Sequence, residues 1–317
     1  MTANISRARS LALLGAGAAV LAPGRARAQT QPIRIGTLGA GDTYALPFYA
    51  QDGGFFTKAG LNVEVVPVAE PSSIIASVAG GSLDAGFADP PLITNAQSRG
   101  LPVAYFAGGG LYSTEAPTTV LVVAPISPDR TPKDFHGKTI AVVVAKSIGA
   151  AALTSWIVQG GGDPAQIKFI EMPFTVMVTE VVKGDIAAAF LAEPYLTNAK
   201  NDIKVVAKPF DAIGPRFFIN SCFASRSWIG ANAATASKLV AAFAEAANWV
   251  NTHHDDSAPT LAKYGKVPLD VVRSMARVRF AELDPKLVQP VLDTAYKYKL
   301  VEKSITANEI IVKVPAG

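Results

Sequence analysis

Gly81-Ser82-Leu83-Asp84-Ala85-Gly86-Phe87-Ala88-Asp89-Pro90 is answered about a hundred residues later by Gly184-Asp185-Ile186-Ala187-Ala188-Ala189-Phe190-Leu191-Ala192-Glu193-Pro194. Each stretch reads as a glycine that stops a helix, a short buried strand, and an acid followed by proline that opens the next helix. Asp89 suits an N-cap, with Pro90 at the first helical position. The residues upstream follow one plan in both places. Ile33 to Gly36 predicts a strand, Gly39 to Thr43 a turn, and the residues up to Asp52 a helix. Thr139 to Val144 predicts a strand, Lys146-Ser147 a polar turn, and a helix ending at Gly160-Gly161-Gly162. Strands Asn62 to Val68 and Ile167 to Glu171 come next. Each leads into a short helix with apolar residues at helical spacing, Ile74, Ile75 and Val78 in one and Val178, Val181 and Val182 in the other. Three units repeated in the same order predict two α/β lobes of one design.

Strands alternating with helices imply largely parallel sheets covered by helices on both faces. Two further apolar strands, Thr118 to Ala124 and Arg216 to Ala224, flank the second set of units. They mark the places where the chain passes between lobes. The expected organisation is lobe one over 33–115 plus 217–317 and lobe two over 116–216. After Trp228 the chain turns helical: Leu239, Phe243, Ala247 and Val250 form one apolar face, and Val271, Met275 and Val278 mark another helix.

The first 28 residues read apart from the rest. Arg7 and Arg9 give a positive start, Leu11 to Ala22 is an apolar run, and Ala26-Arg27-Ala28 is an A-x-A site. That order predicts a secretory signal peptide cut after Ala28. The run is short of the ~20 apolar residues that span a bilayer. Ala8 separates the two arginines, which favours the general export route over a twin-arginine one. The whole chain has 29 Lys+Arg against 25 Asp+Glu, and four of those cations lie in the leader. The remainder is balanced, so the net charge of +4 is a property of the leader. Without a basic field, nucleic acid is excluded as a partner. Cys222 is the one cysteine, so no internal disulfide can form. It sits in the apolar run Phe217 to Phe223, where it reads as an inert core residue.

Signs of catalysis are missing. His136, His253 and His254 lack metal-ligand spacing, and the last two read as a solvated helix end beside Asp255. Gly80-Gly81-Ser82-Leu83 continues with Asp84 where a nucleophile elbow needs glycine. No G-x-x-x-x-G-K-[ST] loop occurs. Gly39-Ala40-Gly41 follows a strand, but Tyr44 stands where a dinucleotide fingerprint needs its third glycine. Neither a catalytic residue nor a metal or other cofactor is expected.

Leu46-Pro47-Phe48-Tyr49-Ala50-Gln51-Asp52-Gly53-Gly54-Phe55-Phe56-Thr57-Lys58-Ala59-Gly60-Leu61-Asn62-Val63-Glu64-Val65 resembles the opening of the nitrate/sulfonate/taurine family of ABC substrate-binding proteins. The likeness continues through Gly80 to Gly86, Asp134-Phe135-His136-Gly137-Lys138-Thr139-Ile140-Ala141-Val142 and Glu193-Pro194-Tyr195. The resemblance implies a type II periplasmic-binding-protein fold, with two lobes, two crossover strands and a ligand in the central cleft. It also implies delivery of a small organic solute, such as a sulfonate, aromatic acid, pyrimidine or amine, to an ABC permease in the inner membrane. The expected protein is a periplasmic monomer. Family relatives include thiamin-pyrimidine-precursor binders and a pyrimidine synthase. That synthase carries a cysteine-rich motif, which one cysteine cannot supply. A small-molecule enzyme on the same fold is the alternative, and a partner of a solute sensor is a third reading.

In open α/β sheets ligands bind beyond the carboxyl ends of strands, where helix N-termini offer free N–H groups. That rule selects the loops Asp42-Thr43-Tyr44, Pro71-Ser72-Ser73, Asp89-Pro90 and Lys146-Ser147-Ile148-Gly149. Phe174, Glu193 and Arg216 complete the candidate ligand-binding set. Glu193 matches Asp89 in the repeat and is expected to face it across the cleft, either to accept a ligand N–H or to cap its own helix.

Overall fold

The computed structural model describes residues 31–39 and 41–314, so the leader and its cleavage site lie outside the described residues. The first part of the chain runs β1 (Ile33–Leu38), α1 (Leu46–Asp52), α2 (Phe55–Lys58), β2 (Val63–Val68), α3 (Pro71–Ala79), β3 (Ala85–Ala88), α4 (Pro90–Ser98) and β4 (Val103–Ala107). Next come β5 (Gly109–Ser113), β6 (Thr119–Val123), β7 (Thr139–Val142), α5 (Ile148–Gln159), β8 (Lys168–Glu171), α6 (Phe174–Lys183), β9 (Ala188–Ala192), α7 (Tyr195–Asn198) and β10 (Lys204–Ala207). The last part is β11 (Arg216–Phe218), β12 (Ser221–Ser225), α8 (Arg226–Ala231), α9 (Ala233–Val250), α10 (His254–Gly265), α11 (Leu269–Ser274), β13 (Arg279–Ala281) and α12 (Pro285–Lys297).

The repeat in sequence is a repeat in space. One five-stranded sheet has the order β2-β1-β3-β12-β4, and the other, read from its opposite edge, β8-β7-β9-β6-β10. In both, the first three strands are parallel and the fourth runs antiparallel to them. Ile35 faces Ala85 in the first sheet as Ile140 faces Ala188 in the second. The chain belongs to a two-lobed α/β class, with each lobe a sheet and its helices.

The antiparallel strand of each sheet is the flanking apolar run identified in the sequence. β6 comes from the Thr118–Ala124 run, and β12 from the end of the Arg216–Ala224 run. The passages themselves are made just before them. β5 leads out of the first sheet and β11 out of the second, and the two pair antiparallel, with β13 on the other side of β5. The run Arg216–Ala224, expected as one strand, is therefore two, broken at Ile219-Asn220 where it leaves the ribbon for the sheet. Asn220 is buried and pins the break: its Oδ1 accepts from the Gly110 N–H at 3.3 Å and its Nδ2 donates to the Thr43 carbonyl at 3.0 Å.

Side-chain alternation explains how the second sheet is covered. In β6, Leu121 and Val123 join a core with Leu153 and Ile157 of α5, while Val120 and Val122 join one with Met177 and Val181 of α6. A strand with period two can be apolar throughout only if both faces are buried. In α9, Leu239, Phe243, Ala246 and Val250 are buried on one stripe, and Phe243 meets Phe56 and Phe87 edge-to-face at 5.4 Å. The helix expected over Val271, Met275 and Val278 ends earlier: α11 stops at Ser274, Met275 is already extended, and Val278 leads into β13. Among the described residues no helix is long and apolar enough to cross a membrane.

Candidate functional site

The carboxyl ends of β1, β3, β7 and β9 converge on a cavity of about 60 Å³. Tyr44, Thr43 and Leu38 line it from the first lobe's opening turn, and Pro71 and Asp89 from the starts of α3 and α4. Val143, Val144, Ser147, Ile148 and Phe174 line it from the second lobe's loops and helix starts. Phe190, Phe210 and Ile219 close its floor. A second space of about 300 Å³ shares Leu38, Val143 and Phe174 with it and forms an apolar vestibule. The walls are mostly aliphatic and aromatic.

Asp89 is the ionisable group at the centre. It caps α4, accepting from the Leu92 N–H at 3.0 Å, as its place before Pro90 predicts. It lines the cavity beside Ser147 and Ile148, the start of α5 in the other lobe. Ser147, which precedes that helix, turns its hydroxyl to the Val144 carbonyl at 2.7 Å, so it does not cap α5. Burial pushes the Asp89 carboxyl up to about 7, partly offset by the backbone N–H groups of Leu92 and Ile148. Burial likewise raises the Tyr44 phenol, and the nearby Asp89 charge adds to the effect.

Asp42 points the other way. Its carboxylate is fully buried and bonded to Arg277 Nε at 3.2 Å, the Val278 N–H at 2.7 Å and the Tyr49 hydroxyl at 2.8 Å. With three donors inside lobe one, it does not line the cleft. What Asp42 contributes there is its backbone N–H, donated at 3.3 Å to the Glu193 carbonyl across the cleft.

Glu193 is buried, and its carboxylate is taken by its own helix. Oε2 accepts from the Thr197 N–H at 3.0 Å and Oε1 from the Thr197 hydroxyl at 2.8 Å. This is the capping geometry, and Glu193 does not line the cavity that Asp89 lines. Burial raises its carboxyl. Replacing Glu193 with Gln is expected to cost about 1 kcal/mol, since one acceptor remains, and to leave ligand affinity unchanged. Thermal melting and a titration on the same variant check both halves, and weakened binding at an intact melting point would contradict the assignment.

The remaining candidates divide. Thr43, Tyr44, Ser147 and Phe174 line the cleft with Asp89. Ser72 and Lys146 are exposed and line a neighbouring groove with Glu70, Arg99 and Glu171. Ser73 is exposed on α3, and Arg216 is exposed on the ribbon opposite Ser113. Tyr112 and Phe217 are stacked and buried together in the core of the second lobe. The sequence reading missed Phe190, Phe210, Thr119 and Ile219 as walls. Phe190 carried a usable signal, since it repeats Phe87 in the echo; Phe210 sits in a short turn with no pattern of its own.

The family model described as NMT1/THI5 like matches residues 43–257, which includes every lining loop from Thr43 to Ile219. The chain belongs to the NMT1/THI5-like family. No curated protein matches it in sequence. Three solved structures with the same fold are similar over most of both chains. The periplasmic aliphatic sulphonate binding protein SsuA from Escherichia coli is 20% identical, with a TM-score of 0.72, over 90% of this chain and 92% of its own. The alkanesulfonate-binding protein SsuA from Xanthomonas axonopodis pv. citri, bound to MOPS, is 18% identical with a TM-score of 0.74, over 89% and 98%. The periplasmic nitrate-binding protein NrtA from Synechocystis PCC 6803 is 14% identical with a TM-score of 0.75, over 89% and 86%.

Proposed function

We propose that this protein is the solute-binding component of an ABC-type importer, exported to the periplasm and capturing a small organic solute between its lobes. The observation that carries the reading is the cleft where the carboxyl ends of both sheets meet, bridged by the Asp42 N–H donating to the Glu193 carbonyl. The domain limits in this reading are 33–115 plus 217–317 for lobe one and 116–216 for lobe two. Two chain passages through one ribbon allow a hinge. The solute enters an open cleft, the lobes close, and the closed form is what the permease meets. The neighbours described as sulfonate- and nitrate-binding proteins lend support, and the solute here is a separate matter.

Binding without turnover is the form of this proposal. Ser147 is engaged with its own loop, and Cys222 is buried in β12 with its thiol pushed up by burial, so neither is an activated nucleophile. The test is a thermal-shift screen over sulfonates, aromatic acids, pyrimidines and amines, followed by product analysis of each hit. A solute at a hundred times its Kd should stabilise the protein by ~2.7 kcal/mol and be recovered unchanged. Recovery of a chemically altered compound would place the protein among enzymes.

A further inference from the structure

The cleft contains an anion of its own in the position where an anionic solute would be expected to bind. The N-terminus of α5, a twelve-residue helix, opens into the cavity with the partial positive charge of its free N–H groups. Such an end is a ready site for a sulfonate or carboxylate. Here Asp89, buried on the opposite lobe, lines the same cavity beside Ser147 and Ile148. A second anion at that end would lie against a buried carboxylate, in surroundings where like charges repel strongly.

No described residue lining the cavity balances Asp89. Among the described residues lining the cavity there is no lysine, arginine or histidine, and no described ion pair involves Asp89. Buried carboxylates are ordinarily paired with a cation. Asp42, equally buried, has Arg277. A carboxylate offers about four acceptor sites, and the Leu92 N–H leaves room for further donors.

We propose that the solute supplies the missing cation: a small amine, amidine or guanidine head held by Asp89, carried on an apolar or ring-shaped body, with sulfonates, carboxylates and nitrate disfavoured. This rests on the solute-binding reading above and narrows it. The head meets Asp89 beside Tyr44, and the body extends past Leu38, Val143 and Phe174 into the vestibule. The inner cavity of about 60 Å³ is smaller than the ~150 Å³ that admits benzene, so a ring enters with the lobes drawn somewhat apart. The raised carboxyl of Asp89 fits the same picture, because a bound cation would restore its ionised form.

Calorimetric titration with probes of one ring size separates the alternatives: benzamidine and benzylamine as cations, benzamide as the neutral analogue, benzoate and benzenesulfonate as anions. The cations should bind at least tenfold more tightly than benzamide and the anions more weakly still. Asp89→Asn, checked for an unchanged far-UV spectrum, should lose at least tenfold toward benzamidine and narrow its lead over benzamide. Anions binding as well as the cations, or benzamidine affinity unchanged in Asp89→Asn, would overturn the inference and leave the solute-binding reading standing. If no probe of any charge binds the folded protein, both fail together.

Discussion

Asp42→Ala is expected to lower folding stability by about 3–5 kcal/mol, the cost of breaking one side of a buried ion pair. Arg277 is buried beside it, and removal of the carboxylate strands a charge in the interior. It also leaves the Val278 N–H and the Tyr49 hydroxyl without their acceptor. Among the described residues Arg277 keeps neutral partners, the Tyr49 hydroxyl at 2.7 Å, the Ser257 hydroxyl at 3.2 Å and the His254 carbonyl at 3.2 Å. Urea denaturation of the wild type and variant measures the effect, and a loss under ~1 kcal/mol would mean the pair behaves like a surface salt bridge. The double replacement Asp42→Leu with Arg277→Met should recover much of the loss, because no unpaired charge remains. The functional consequence is indirect. The pair anchors the turn from which Thr43 and Tyr44 enter the cleft, so affinity should fall in the single variant without Asp42 touching the solute.

A second large effect is expected where both chain passages cross. Gly108, Gly109 and Gly110 lie at the head of the ribbon, each against another backbone. A methyl group at Gly109 would sit 2.3 Å from the Asn220 carbonyl oxygen and 2.8 Å from the Ser221 Cα. One at Gly108 would sit 1.8 Å from the Ala281 oxygen, and one at Gly110 2.8 Å from the Thr43 oxygen. These are backbone atoms on three separate segments, and none can swing aside as a side chain can. Gly109→Ala should therefore destabilise by about 3 kcal/mol, the upper end for overpacking. Because the displaced atoms belong to the strand break at Ile219-Asn220, the lobes should also meet differently, weakening binding of any cleft ligand at least tenfold. Thermal melting with a titration checks both, and a variant that melts and binds like the wild type would show the ribbon to be looser than its geometry.

Legibility differed between levels of structure. The two sheets share a strand order because the same local signals occur twice: a glycine stop, a short apolar strand, an acid and a proline. Asp89 caps α4 for the same reason, since its partner is only three residues away. The end of the helix expected over Val271 to Val278 was less legible, because Met275 and Val278 are apolar for the sake of the core in both conformations.

The order of elements, the twofold design and the position of the cleft beyond the strand ends were determined by the sequence itself, since helix stops, caps and alternation act over a few residues. Which candidates face the solute was decided only by the tertiary structure. Asp42 and Asp89 look alike as acids in loops after strands. Arg277, 235 residues further on, packs against Asp42 and draws it into the core, whereas no described cation pairs with Asp89 and it stays in the cleft. Glu193 is held by Thr197, Ser147 by Val144, and Phe210 enters the floor from a turn that nothing local marks. A buried charge goes wherever its partner is, and the partner's position is set by the packing of the whole chain.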